Sequence, residues 1–203
     1  MCLADANCAD LWDDQSMHIV NKRTAWEGSF IRALNIAYTD NSGRLRTWEA
    51  VERVNCRGVV GIVPLTADGD ILFVRQFRPV LDGFVVEFPA GLNDRDESLQ
   101  GAARRELVEE TGCTAEEFIF LAEGPLSSGL SAELLTVFLA KNVTPAPDKL
   151  RQLYLPDESE DIEVIRMPLS AIYERLATFR ERGDFIDLKI YGLVELAKRY
   201  LRT

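Results

Sequence analysis

Apolar positions recur along this chain with two spacings, every second residue and every third to fourth, and the switch between them marks out its elements. From about His18 to Val54 the spacing is that of strands. The runs ALNIAYT and RLRTWEAVERV flank DNSGR, whose aspartate, asparagine and glycine suit a tight turn, so a hairpin is predicted within a set of two or three strands. From Gly58 onward short apolar runs follow closely. VVGIVPL, a DG turn, ILFVRQFRP and GFVVEFPAG precede a helix; FIFLAEGPL and ELLTVFLAKNV, joined by SSGLSA, follow it; IEVIRMPL comes later. The helical spacing appears three times. Leu99, Ala103 and Leu107 recur every fourth residue after the possible caps Asp96 and Ser98, and Gly112 supplies a left-handed stop, so Ser98 to Thr111 reads as a helix of about four turns. Leu169 to Arg182 and Ile186 to Leu201 also read as helices, the second with Ile186, Ile190, Leu193, Leu196, Ala197 and Tyr200 on one apolar face.

Strands interleaved with helices predict an α/β fold, a mixed sheet with helices on both faces in an α/β/α sandwich, preceded by a small antiparallel β element. The expected divisions are an irregular N-terminus at 1–17, the β element at 18–56 and the larger domain at 57–203, with the acidic run at 157–161 as a solvated loop.

The chemistry concentrates in the first helix. Glu106 and Glu110 lie four apart on one face with Glu109 beside them, and Glu97 stands in the loop before. Like charges at this spacing repel unless a cation sits among them. Arg105 is expected to pair with one of them, most simply Glu109. The remaining carboxylates then converge with too little positive charge to balance them, as a hard divalent-cation site requires. Without a ligand, the same residues would be a solvated acidic face.

Composition narrows the remaining choices. At 203 residues and 47% hydrophobic, the chain can bury one full core with an appendage. No apolar run approaches the roughly 20 residues that span a bilayer, and the opening MCLADANCADLWDD lacks the basic and apolar regions of a signal peptide, so a cytoplasmic protein without membrane contact is expected. Cys2, Cys8, Cys56 and Cys113 are scattered and His18 is the single histidine, which excludes zinc-ligand spacing and argues against a disulfide framework. A formal charge of -10 argues against general nucleic-acid binding.

Gly91, five residues, Glu97, seven residues, Arg105-Glu106-Leu107, one residue, Glu109-Glu110, one residue, Gly112 and an apolar Cys113 resemble the signature of the Nudix hydrolases at every position. RTWEAVER, VRQFRPVLDGFVVEFPAGL, GLSAE and DFIDLKIYGLVEL extend the resemblance over roughly residues 25–200, toward the ADP-ribose and ADP-sugar pyrophosphatase branch. That resemblance implies metal-dependent hydrolysis of ADP-ribose to AMP and ribose 5-phosphate, with Mg²⁺ or alternatively Mn²⁺, by a homodimer that exchanges its N-terminal sheet. It also implies roles. Glu106, Glu110 and the carbonyl of Ala90 would hold metal, with Glu109 a weaker or bridging ligand and Arg105 orienting Glu109. Glu97 would join the metal set or brace its loop. Arg78 would contact the diphosphate, with Arg75 structural, and Glu87 would bind ribose hydroxyls or a basic side chain. Phe30 and Trp48 would sandwich adenine between subunits, with Glu49 and Arg53 at the base edge. Glu133 is a candidate general base or an exposed strand-end glutamate. Related enzymes usually carry proline where this chain has Ser128. Alternative readings are a hydrolase of another nucleoside-diphosphate sugar, such as GDP-mannose or UDP-glucose, and a non-catalytic sensor, which would tend to lose the carboxylates all present here.

Overall fold

The computed structural model describes residues 17–156 and 161–200. The irregular N-terminus, four residues of the acidic run and the end of the last expected helix at Leu201 lie outside the described residues. The chain divides into two compact units, one of Met1–Asn55 with Ser127–Glu133, the other of Cys56–Leu126 with Leu134–Thr203.

The first unit is an antiparallel sheet ordered β1 (His18–Glu27), β2 (Ile31–Thr39), β3 (Leu45–Arg53). The β2–β3 hairpin turns at the expected place. Asp40 accepts hydrogen bonds from the Ser42 and Arg44 amides at 2.9 and 3.0 Å, and Gly43 takes the left-handed φ of 71°. The amide bond from Arg44, reinforced by the Arg46 guanidinium, holds the Asp40 carboxyl below its usual range. None of the ten residues of β1 is buried. The outer edge of β3 is covered by the 127–133 loop, which runs parallel to it through a Val51–Ser131 bridge and a Val51 N–H to Leu130 carbonyl bond of 2.9 Å. Covering an edge removes unpaired backbone groups that would otherwise recruit a foreign strand.

The second unit carries the strands β4 (Val59–Thr66), β5 (Asp70–Arg78), β6 (Gly83–Glu87), β7 (Ala90–Leu92), β8 (Cys113–Thr114), β9 (Glu117–Pro125), β10 (Leu134–Pro145), β11 (Ile162–Pro168) and β12 (Phe185–Ile186). Its helices are α1 (Leu99–Thr111), α2 (Asp148–Leu153), α3 (Ile172–Glu181) and α4 (Lys189–Lys198). The sheet runs β12-β6-β5-β4-β10-β8, with β11 on β5, β7 on β4 and β9 on β10. It is mixed, since β10 lies parallel to β4, β12 parallel to β6, and the other pairs are antiparallel.

Alternation along β4 divides the core as a two-residue period requires. Val60 and Ile62 join Leu72, Phe138 and the α1 residues Ala102, Ala103 and Leu107 on one face. Val59, Val63 and Leu65 join Phe73, Ile165, Ile172, Leu176, Ile190 and Val194 on the other, against α3 and α4. The layering is thus α/β/α, as the pattern predicts. The last helix is shorter than its apolar stripe suggests. Ile186 belongs to β12, paired in parallel with Val86, because an extended segment there fills the sheet edge before the chain turns into α4. The short α2 is an element the apolar spacing does not mark.

One irregularity prepares the site. β4 and β5 pair only near their turn, at Leu65–Ile71, and then diverge. After β6 the chain steps across the gap, and β7 takes the place beside β4 that β5 vacates, pairing Ala90 with Gly61 and Gly91 with Val60. The Ile62 amide bonds the Pro89 carbonyl at 2.9 Å during the step.

Candidate active site

α1 begins where Ser98 accepts the Gly101 amide at 3.0 Å and ends where Gly112, at φ 65°, donates to the Val108 carbonyl. Its small apolar side, Ala102, Ala103 and Leu107, is buried on the sheet. Arg105, Glu106 and Glu110 are buried as well, at 3%, 8% and 7% exposure, and charged groups enter an interior only when partnered.

The partner is a shared guanidinium. Arg105 donates through Nε to Glu97 at 2.9 Å, through Nη1 to Glu106 at 2.6 Å and Glu109 at 2.7 Å, and through Nη2 to the Leu92 carbonyl at 2.9 Å. Sequence spacing suggested one carboxylate partner, Glu109; the structure shows three, because a planar fork with five N–H groups can serve several acceptors at once. Glu97 therefore braces the loop onto α1. Burial alone would lower the basicity of Arg105, but attraction to Glu106 and the bonds to Glu97, Glu109 and Glu106 outweigh it, so its pKa lies above the ordinary arginine value and the charge is permanent. Arg95, which no sequence motif singles out, adds a second cation at 3.3 Å from Glu109. Its only signal was its position in the loop between Gly91 and Glu97.

Glu106 and Glu110 converge on β7. Glu110 accepts the Ala90 amide at 3.1 Å, and the Glu106 carboxylate occupies the space a side chain at Gly91 would need. A Cβ there would stand 2.0 Å from the Glu106 carboxyl carbon. Gly91→Ala is therefore expected to displace the Glu106 carboxylate and cut turnover at least tenfold, roughly the scale of a misplaced catalytic group. Because a side-chain end moves rather than backbone, the thermal midpoint should fall by only a few degrees, on the order of 1 kcal/mol. Steady-state kinetics beside a melting curve checks both, and wild-type turnover would remove Gly91 from the site.

Arg78, at the end of β5, donates to Glu87 at 2.8 Å, so the structure pairs these two candidate substrate contacts with each other. Arg75 forms a two-pronged pair with the buried Asp184 at 2.8 and 2.9 Å and stacks over Phe84, tying β5 to the segment before β12.

In the first unit, Phe30 is 79% and Trp48 49% exposed, and Glu49 is exposed. Trp48 lines a shallow cleft of about 310 Å³ with Ile19, Ile36 and Tyr38. Its indole N–H donates to the Gly129 carbonyl at 3.0 Å, and Arg53 is ion-paired to Glu133. The structure thus brings Trp48, Arg53 and Glu133 into one hydrogen-bonded unit. Phe30 stands elsewhere on the sheet, its carbonyl bonded to the Val54 amide.

The chain matches the NUDIX domain over residues 56–188. It belongs to the Nudix family. It is 33% identical to the ADP-sugar pyrophosphatase of Mus musculus over 182 residues, covering 82% of this chain and 80% of that one. It is 37% identical to the ADP-ribose pyrophosphatase of Bacillus subtilis over 118 residues, covering 58% and 62%. A crystal structure of an ADP compounds hydrolase superposes with a TM-score of 0.75 at 23% identity, covering 93% of this chain and 95% of that one, which establishes the shared fold.

Nudix enzymes of the ADP-ribose pyrophosphatase kind depend in general on a divalent metal. Among the described residues no three histidine, cysteine, aspartate or glutamate side chains are gathered as a ready-made cage. Glu109 is turned to Arg105 and Arg95, while Glu106 and Glu110 lie against Ala90 and Gly91. That donor set still fits a small hard cation, which takes one or two carboxylates and completes its shell with water and substrate phosphate. The space beside Gly91, already filled by the Glu106 carboxylate, fits the same purpose: glycine lets that group approach the Ala90–Gly91 backbone. Among the described residues no helix is long and apolar enough to cross a membrane.

Proposed function

We propose that this Nudix protein hydrolyses the diphosphate of ADP-ribose or a related ADP-sugar, releasing AMP and a sugar phosphate, as a cytoplasmic homodimer that uses Mg²⁺ or Mn²⁺. The observation that carries this reading is the pair of buried carboxylates, Glu106 and Glu110, set against Ala90–Gly91 beside one permanently charged guanidinium. Similarity to the mouse and Bacillus subtilis enzymes supports the substrate class.

Glu106, Glu110 and the Ala90 carbonyl would hold the metal, with Glu109 as a weaker ligand. Bound there, a divalent cation supplies charge neutralisation at the diphosphate and a lowered pKa for water. Arg105 holds Glu106 and Glu109 in place. Arg78 binds the diphosphate, exchanging part of its pairing with Glu87 for phosphate oxygens. Glu133 accepts a proton from the attacking water as that water's oxygen bonds to one phosphorus; the bridging P–O bond breaks, and its electron pair leaves with the departing phosphate.

The base is read by Phe30 and Trp48, with Glu49 and Arg53 at its edge. Phe30 lies opposite Val54, six positions along from Trp48, a span of about 20 Å at the rise of a strand, so two rings of one chain cannot clamp one base. This separation supports a sandwich built from two copies. So does β1, whose Ile19, Val20 and Trp26 are each more than half exposed in the single chain.

The test is hydrolysis of a panel of nucleoside-diphosphate sugars with and without Mg²⁺. AMP released from ADP-ribose only with metal supports the reading. Preference for a GDP- or UDP-sugar would keep the chemistry and overturn the adenine assignment, and no turnover of any substrate would overturn the enzyme itself. Trp48→Ala is expected to raise KM for ADP-ribose at least tenfold, in line with roughly 1–3 kcal/mol for stacking one base. An unchanged KM would remove Trp48 from the base site.

A further inference from the structure

The loop that carries Glu133 is shaped by its own hydrogen bonds and placed by another strand. The Ser127 carbonyl accepts the Leu130 and Ser131 amides at 2.8 and 2.9 Å, which closes the turn. Ser131 Oγ accepts the Glu133 amide at 3.4 Å. Its placement rests on β3: the Trp48 indole N–H donates to Gly129, the Val51 amide donates to Leu130, and Arg53 pairs with Glu133. Covering the edge of β3 would need only the backbone tie at Val51. The two side-chain ties stand on either side of it, at positions 48 and 53, and both come from residues that the proposed function places at the base.

We propose that Trp48 and Arg53 are positioning residues for Glu133, so that the strand reading the nucleotide base also sets the loop bearing the proton acceptor. The inference rests on the proposed hydrolase activity. Serine rather than proline at position 128 leaves the loop without a rigid backbone of its own, and external ties supply the order. The Arg53 tie engages a single carboxylate oxygen, Oε1. Base binding and proton transfer thereby share one structural unit, and a nucleotide that settles on Trp48 does so against a side chain already committed to the loop.

The experiment separates the ring of Trp48 from its N–H. Trp48→Phe keeps an aromatic face and removes the donor; Arg53→Gln removes the ion pair. In the free full-length protein, amide hydrogen exchange at residues 127–133 should quicken in both variants, a readout that needs no turnover. With ADP-ribose, Trp48→Phe should lower kcat about tenfold while KM stays within roughly threefold, the pattern of a lost contact that acts on the chemical step. Arg53→Gln should lower kcat at least tenfold, and in a Glu133→Gln background it should cost nothing further, since residues acting through one group are non-additive. Unchanged exchange in the loop, fully additive losses, or a Glu133→Gln enzyme with wild-type kcat would each overturn the proposal. A wild-type protein that hydrolyses nothing in the panel would instead overturn the hydrolase reading, and that outcome is visible before any variant is made.

Discussion

Glu110→Gln is expected to lower turnover by two orders of magnitude or more while the protein remains folded, roughly the effect of losing one well-placed electrostatic group in a water-poor site. The substitution is nearly isosteric. Its amide oxygen can still accept the Ala90 N–H, so that contact with β7 survives while the charge is lost. Glu110 is 7% exposed, and a charge removed at that depth is not replaced by water. Parallel measurements of kcat and of the melting curve decide the matter. Near-normal turnover in a folded variant would remove Glu110 from the catalytic set, whereas a collapsed melting curve would make its role structural.

Arg105→Met is expected to act mainly on stability. The arginine side chain is 4% exposed and is the shared partner of Glu97, Glu106 and Glu109, so its removal takes one cation from three carboxylates at once. Breaking a buried charge network by deleting one member costs about 3–5 kcal/mol. The methionine keeps most of the apolar stem, so the loss reports charge rather than packing. A divalent cation that binds the native site should then raise the melting temperature of the variant more than that of the wild type, because ligand binding stabilises the native state and the variant presents more uncompensated negative charge. An unchanged melting temperature would mean that the carboxylates are solvated and that Arg105 holds nothing together.

How far the site was legible depended on whether its parts were neighbours in the chain. The capping serine, the left-handed Gly112 and the Ala103–Leu107 stripe are local features, and α1 appears within a residue of where they place it. The hairpin around Asp40 is local in the same sense, since two amides within four residues satisfy one carboxylate. Misreadings arose where distant segments meet. Helix spacing offers Arg105 one partner, Glu109, and says nothing of Glu97 folding back from the loop. Ile186 fits the apolar stripe of α4 and yet pairs with Val86, because the vacant edge of β6 competes for it and a stripe does not record that edge.

What the sequence by itself determined is therefore most of the strands and the three longer helices in their order and the layered α/β/α architecture with its small β unit, because these rest on periods within short stretches. Through resemblance to a known signature it also determined the Nudix family; the short α2 and β12 left no such pattern. Tertiary structure alone decided which carboxylates share Arg105, how β7 enters the gap that β5 leaves so that Gly91 can shelter Glu106, and that the 127–133 loop belongs with β3 rather than with the strands on either side of it. The reason is physical. A helix cap or a turn is settled by bonds within a few residues, whereas a shared guanidinium and a borrowed strand edge are settled by unsatisfied groups seeking partners across the fold, and only the folded chain shows which partners they find.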